Sequence, residues 1–395
     1  MLVLVSILAL VLLGGTVNAQ VRVSFITDTH IGEHCIDLTA ANCKPVRNLE
    51  SSVARINTLD PQPDAVFISG DITASALPEQ FEKAHEILSN IKAPWFPLLG
   101  NHDSWPYRKA ADGTFNQTTT PIGDEIFARV FKSQIDGSNN DDGRGAVVTD
   151  WPTSSCINGD YGFETWHHNY KVSFPSIMPE LVFFALDWTS RGSALPEPGV
   201  GPEAELHDYS CGTTEWLSHE IQSLSDEGKT DTQKVFLVQH HPFHNRDVLD
   251  PFGHNRMYNF TFDDNQLSVV QGLLETGGFS VKNYLGVQAG HIHRWFNGKA
   301  FTKFTATSED WMELVEYETS ACKGWFIDED FVSAFTTVEF DYVQGSVPDE
   351  GNIHSHMKQF WQLPDGNWVE KLLKPDRGDR VSVNQQGYVD QPLKT

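Results

Sequence analysis

The chain has 395 residues, with 28 Lys+Arg against 53 Asp+Glu and a formal net charge of −25. Its hydrophobic fraction of 39%, with 25 Phe and 11 Trp, is too rich in core-forming side chains for a disordered polypeptide and suffices for one large domain or two ordinary ones. So acidic a chain has no general attraction for nucleic-acid phosphates or anionic lipid, which argues against polyanion binding as its role.

Met1 to Leu13 is almost wholly apolar and is followed by Gly14, Gly15 and the small-residue stretch Val17-Asn18-Ala19. Residues 1–19 read as a secretory signal peptide, because the run is short for a membrane span and a strand-like segment begins at once. No other stretch is long and apolar enough to cross a bilayer, so the expectation is a soluble secreted protein with no stable membrane anchor. The tripeptides Asn116-Gln117-Thr118 and Asn259-Phe260-Thr261 fit that compartment as glycosylation acceptors. Five Cys allow at most two internal disulfides. The pairs Cys35–Cys43 and Cys156–Cys211 are favoured, leaving Cys322 free, buried or intermolecular; burial as a small hydrophobe is the alternative for any of them.

From residue 21 the pattern alternates between apolar runs and amphipathic stretches, the signature of β-α-β units. Strands are expected at Val21 to Thr27, Ala65 to Ser69 and Trp95 to Leu99, with helices at Val46 to Leu59 and Pro78 to Ile91 between them. Further strands at Leu181 to Leu186, Val235 to Gln239 and Leu285 to Ala289, and helices at Thr213 to Ser225 and Asn265 to Thr276, extend one sheet-based domain over residues 20–310. Within it, residues 104–179 read as an irregular insertion or lid. Residues 311–395 read as a β-rich C-terminal extension, either an edge of the same fold or a small sandwich.

The ends of the expected strands carry the chemistry. They read Asp28-Thr29-His30, Gly70-Asp71, Gly100-Asn101-His102-Asp103, His240-His241-Pro242 and Gly290-His291-Ile292-His293. Ligands of open α/β sheets bind beyond the carboxyl ends of strands, so these groups can converge. Residues spaced by two on an extended segment point the same way, which lets Asp28/His30 and His291/His293 each grip one ion. Carboxylate, imidazole and amide oxygen together suit Zn²⁺, Mn²⁺ or iron better than Ca²⁺.

In this order, the five motifs resemble those of the calcineurin-like metallophosphoesterase superfamily, over roughly residues 21–295. The resemblance implies a four-layer α/β/β/α fold, here with the C-terminal β extension, and two divalent or mixed-valence metals about 3.5–4 Å apart. Asp28, His30 and His293 would hold the first metal, Asn101, His240 and His291 the second, and Asp71 would bridge both. His102 would be the general acid or a transition-state stabiliser, with Asp103 nearby. The implied activity is hydrolysis of small-molecule phosphate mono- or diesters by a metal-bridging hydroxide, at a site that stays cationic within an acidic protein.

Departures narrow the branch. Purple acid phosphatases place a tyrosinate ligand three residues after the bridging Asp, where this chain has Ala74. Protein Ser/Thr phosphatases carry Asp-Arg-Gly and Gly-Asn-His-Glu, where this chain has Ala74-Ser75-Ala76 and Asp103. A catalytically silent binding protein of this fold and a nuclease for short oligonucleotides are the alternatives; the intact ligand set argues against the first and the charge against the second. Outside the motifs, His167, His168 and His244 lie where a substrate loop could be, and Asp187 could reach the site or cap a turn. Trp105, Tyr107, Trp151, Tyr161, Phe163 and Trp166 could line a pocket, with packing of the insertion as the default. His354 and His356 read as surface or structural.

Overall fold

The computed structural model describes residues 20–110, 112, 114–118, 120–137, 145–151, 154–157, 162–192, 204–243, 261–293, 296–300, 314–319, 321–323, 333–344 and 351–373. The apolar leader, the sequon at Asn259, Tyr161 and His244 lie outside them, as does the side chain of His354. The first half of the chain forms β1 (Gln20–Ile26), α1 (Lys44–Ile56), β2 (Ala65–Ser69), α2 (Pro78–Leu88), β3 (Trp95–Leu98), β4 (Tyr107–Lys109), β5 (Phe115–Gln117), α3 (Gly123–Ile135), β6 (Val147–Thr149), β7 (Cys156–Ile157), β8 (Glu164–Thr165) and β9 (Tyr170–Phe174). Then follow β10 (Met178–Leu186), α4 (Thr213–Asp226), β11 (Lys234–Gln239), α5 (Asp264–Leu274), β12 (Tyr284–Ala289), β13 (Phe296–Ala300), β14 (Leu314–Glu318), β15 (Ser333–Gln344), β16 (Gly351–Gln362) and β17 (Trp368–Leu373).

Two sheets result, one in the order β17-β16-β15-β1-β2-β3 and the other β13-β14-β12-β11-β10-β9-β6. Strands β1, β2 and β3 run parallel, as do β10, β11, β12 and β14. The period of two within β10 shows why the sheets stack. Leu181, Phe183 and Ala185 face the core shared with the first sheet, while Val182, Phe184 and Leu186 face the core under α4 and α5. Such strands are buried on both faces and read as continuous apolar runs. Phe25 and Phe67 from the first sheet stack at 5.7 Å, and Phe67 meets Phe183 of the second at 5.5 Å. Phe236 and Phe340 close the same seam at 5.2 Å. On the outer face of the first sheet, α2 begins at a proline, whose fixed φ suits a first helical residue, and buries Phe81, Ala84, Ile87 and Leu88 at helical spacing. The layers are therefore α/β/β/α, as the motifs implied.

Residues 104–179 differ from the irregular stretch expected of them. They contain α3, which buries Ile126, Phe127, Phe131 and Ile135, and β6 and β9, which pair along the edge of the second sheet. The 13-residue helix is flanked by Gly- and Asn-rich sequence that masked its period. Of the two placements open for the tail, β15–β17 take the sheet edge: β15 lies antiparallel to β1 and β16 to β15, while β14 joins the second sheet.

Candidate metal centre

Because β1, β2 and β3 are parallel to one another, as are β11 and β12, their loops gather at the carboxyl ends of the two sheets. The backbone there is strained. Asp28, His30, Asp71, His291 and His293 all adopt the left-handed region, with φ of 51°, 44°, 48°, 71° and 59°. Each such non-glycine residue costs on the order of 1–3 kcal/mol and persists only where its surroundings over-determine it. Here they do. The N–H of Asp28 donates to Gly70 O at 3.1 Å, that of His30 to Asp71 O at 2.9 Å, and that of Gly290 to His240 O at 3.0 Å. The carboxylate of Asp103 accepts from the N–H groups of Ile72, Thr73 and Gly100 at 2.8–3.0 Å and from the Thr73 hydroxyl, tying two loops together. Gly70 must be glycine twice over, with φ 91° and a Cβ position only 2.4 Å from His240 Nδ1; a Cβ on Gly290 would fall 1.9 Å from Thr27 Oγ1.

The seven expected ligand residues converge in two groups that share Asp71. In the first, His30 Nε2 and His293 Nε2 are 3.1 Å apart, His293 Nε2 is 3.1 Å from Asp28 Oδ1, and His30 Nε2 is 3.4 Å from Asp71 Oδ2. In the second, His240 Nε2 lies 3.3 Å from Asp71 Oδ1, 3.2 Å from Asn101 Oδ1 and 3.2 Å from His291 Nδ1. One oxygen of Asp71 thus faces each group. His240 Nδ1 donates to Ser69 O at 2.9 Å, which aims its Nε2 lone pair into the site. Asp28 Oδ2 accepts from the Thr27 hydroxyl at 2.8 Å, and the His291 N–H is shared between Oδ2 at 3.0 Å and Oδ1 at 3.2 Å, so Oδ1 is the oxygen that also meets the histidine rings. The N–H of His102 donates to Asp71 Oδ1, and its Nδ1 donates to Ala74 O, both at 2.9 Å. Of these eight residues only His102 and His293 are half-buried, so the site opens to solvent on their side.

Burial sets the charge states. It would raise Asp28 and Asp71, yet the surrounding histidines hold both carboxyls well below the usual range. It depresses His30 and His291 to about 3, which keeps their nitrogen lone pairs available. For His240 the burial effect is reversed by Asp71 and Asp28, which push the imidazole up to about 9, so a cation taken up at Nε2 would displace a proton from it. Burial, with the Asp71 charge beside it, raises Asp103 to about 6. Two ionised buried carboxylates with convergent imidazole nitrogens call for compensating positive charge. The donor set of carboxylate, imidazole and amide oxygen, without thiol, fits divalent transition metals.

Other candidates fall elsewhere. His167, His168 and Asp187 belong to a buried polar cluster around Arg191, a residue that carried no signal in the sequence. Arg191 Nη2 bonds Asp187 Oδ2 at 2.7 Å and Trp166 O at 2.6 Å, and its Nε bonds Asp124 Oδ2 at 3.3 Å. Asp187 also accepts the Thr189 N–H at 3.1 Å, a turn cap, and the His168 N–H at 3.0 Å. His167 Nε2 meets the Tyr209 hydroxyl at 2.8 Å. Trp105 packs on Phe163, and Trp151 stacks on His168, which is packing of residues 104–179. His356 pairs at 3.6 Å with Asp341 on the neighbouring strand. Asn116 is exposed. Both expected disulfides are present, Cys35–Cys43 and Cys156–Cys211, and Cys322 is free and buried. No helix among the described residues is long and apolar enough to cross a membrane.

The profile of the calcineurin-like phosphoesterase family matches residues 21–272. The chain therefore belongs to that family. It is similar to a glycerophosphodiester phosphodiesterase, GpdQ, of Enterobacter lignolyticus, with 33% identity over 84 residues, which is 20% of this chain and 28% of the relative. A GpdQ-named protein of Arcobacter nitrofigilis is 34% identical over 56 residues, 14% of this chain and 20% of the relative. The matched segments thus span under a third of these relatives' lengths. Among solved structures, purple acid phosphatase PPD1 of yellow lupin (Lupinus luteus) aligns with 89% of this chain and 53% of its own, at 12% identity and a TM-score of 0.42.

Proposed function

We propose that the chain is a secreted phosphoesterase that hydrolyses small phosphate esters with two divalent cations. Asp28, His30 and His293 would hold one, Asn101, His240 and His291 the other, and Asp71 both. The observation that carries this reading is Asp71, whose two carboxylate oxygens point one to each histidine group. Two cations held there would acidify a water from a pKa of about 15.7 toward 7 and neutralise charge developing at phosphorus. Zn²⁺, Mn²⁺ and iron all suit these donors. His102 donates through Nδ1 to a carbonyl, so Nε2 is the atom free to carry a proton to the leaving oxygen. The names of the GpdQ relatives favour a diester over a monoester. Two disulfides favour secretion, since they persist in oxidising compartments.

The test is metal analysis and a substrate panel on protein purified from a secreting host. The expectation is about two cations per chain, hydrolysis of glycerophosphodiesters and of a bis-nitrophenyl phosphate, loss on chelation and recovery on adding Mn²⁺. Asp71→Asn and His291→Ala should each remove nearly all hydrolysis and lower metal content while the fold persists. Wild-type rates in either variant would reject the assignment.

A further inference from the structure

The first ligand turn is held from a part of the chain beyond the family match. The N–H groups of Cys322 and Lys323 donate to the carbonyls of Thr27 and Asp28, at 2.9 and 3.2 Å. Lys323 O accepts from Asn48 Nδ2 on α1 at 2.9 Å, and the Lys323 ammonium bonds Glu33 Oε2 at 2.7 Å. Glu33 is part of the same turn, since its N–H donates to His30 O at 3.0 Å. These contacts come from residues beyond the family match, which ends at residue 272.

Resting on the two-cation reading above, we propose that residues 321–323 are a latch that positions Asp28 and His30 for the first cation, with the Lys323–Glu33 ion pair as its closing contact. Three observations support it together. Asp28 and His30 stand in the left-handed region and need external restraint. The latch bonds the carbonyls of Thr27, which leads into the strained turn, and of Asp28, its first left-handed residue, and reaches Glu33 on its far side. Lys323 has a side chain only 5% exposed, and a buried ammonium is expensive where an apolar residue would fill the same space. Retaining the pair there gains placement of the turn rather than bulk stability. Lys323 touches no reacting atom in this account; it is a positioning residue, acting through the His30–Glu33 turn.

The experiment titrates metal-free full-length protein with Mn²⁺ by calorimetry, for wild type, Lys323→Met, Glu33→Gln, the double variant and Lys323→Arg, with circular dichroism and melting curves on each. Loss of a group bonded directly to a metal ligand typically weakens metal affinity about 10–100-fold, and the Lys323–Glu33 pair acts one contact further out, through the backbone of the His30–Glu33 turn. The expected result is that Lys323→Met and Glu33→Gln each leave one Mn²⁺ event unchanged and weaken the other by about 10-fold, the lower end of that range. The double variant should be no worse than either single one, and Lys323→Arg should restore most of the affinity. Two events of wild-type affinity in both single variants would overturn the latch while leaving the two-cation reading intact. Equal weakening of both events would also overturn it, because the latch reaches only the first turn. If Lys323→Met does not fold, Glu33→Gln decides, since that side chain is 24% exposed. Absence of any Mn²⁺ binding by wild type would instead sink the two-cation reading itself.

Discussion

Arg191→Met probes the buried polar cluster that joins residues 104–179 to the second sheet. In the native protein one guanidinium, fully buried, serves two fully buried carboxylates, Asp187 and Asp124, and two carbonyls, Trp166 O and Thr189 O. Those partners lie on α3, the approach to β9 and the end of β10, so the cation joins residues 104–179 to the second sheet. Methionine fills much of the volume but leaves two carboxylates buried without a counter-charge. Breaking a buried pair in this way costs about 3–5 kcal/mol. The sign of the pH dependence follows from burial. Burial would raise Asp187, but Arg191 reverses this and holds it well below the carboxylate range. Its contribution is therefore present above the unfolded value of 3.8 and is lost only as pH falls through the lower folded value. Without Arg191 burial is opposed only by the neighbouring histidines and the N–H groups of His168 and Thr189, the carboxyl rises, and its contribution shrinks as pH rises. Asp124 is pushed up to about 6 by burial even with Arg191 present and would climb further. The variant's deficit should consequently widen from pH 4 to pH 7 and narrow on acidification. Urea unfolding followed by tryptophan fluorescence at several pH values measures it. A deficit under about 1 kcal/mol at pH 7, or one that grows toward low pH, would refute the assignment of both carboxylates to this cation.

Three further outcomes are expected. His102→Ala should keep both metals and lose about 10²-fold or more in kcat on an alkyl phosphate ester, with a much smaller loss on a nitrophenyl ester, because only the poor leaving group needs a proton. Equal losses on both esters would make His102 an electrostatic stabiliser, and loss of metal would make it a support for Asp71. Natively purified protein should show no intense visible absorption, since Ala74 stands where a tyrosinate would be needed and the hydroxyl of Tyr107 is spent on Ala74 O at 3.0 Å; a strong band would mean that a Tyr reaches the metal. Gly70→Ala should lower stability and metal content by displacing His240, whereas Gly228→Ala, at φ 73° with nothing within 4 Å, bears only the backbone strain; equal effects in thermal melts and metal assays would remove the steric argument for Gly70.

How far the fold and site could be read from residues alone depends on the range of the interaction. Strands β2, β10 and β11 are legible because a strand covered on both faces must be continuously apolar, β1 because Val21, Val23 and Phe25 alternate with Arg22 and Ser24, and α2 because its buried residues recur every three or four. The candidate ligands could be read because metal chemistry restricts each position to a few residue types placed just after those strands, and the fold brings all seven together. The helix α3 was not legible, its period being lost among polar, glycine-rich flanks and recovered only when Phe127 and Phe131 packed against Phe81. Nor could spacing show that Arg191 would bury itself between Asp124 and Asp187, or that Lys323 would close on Glu33. An ion pair leaves no periodic trace, and its partners become neighbours only after the sheets have stacked. The left-handed conformations of Asp28, His30, Asp71, His291 and His293 belong to the same class. No local preference of Asp or His selects that backbone so consistently, and only the hydrogen bonds between loops from different strands hold it in place.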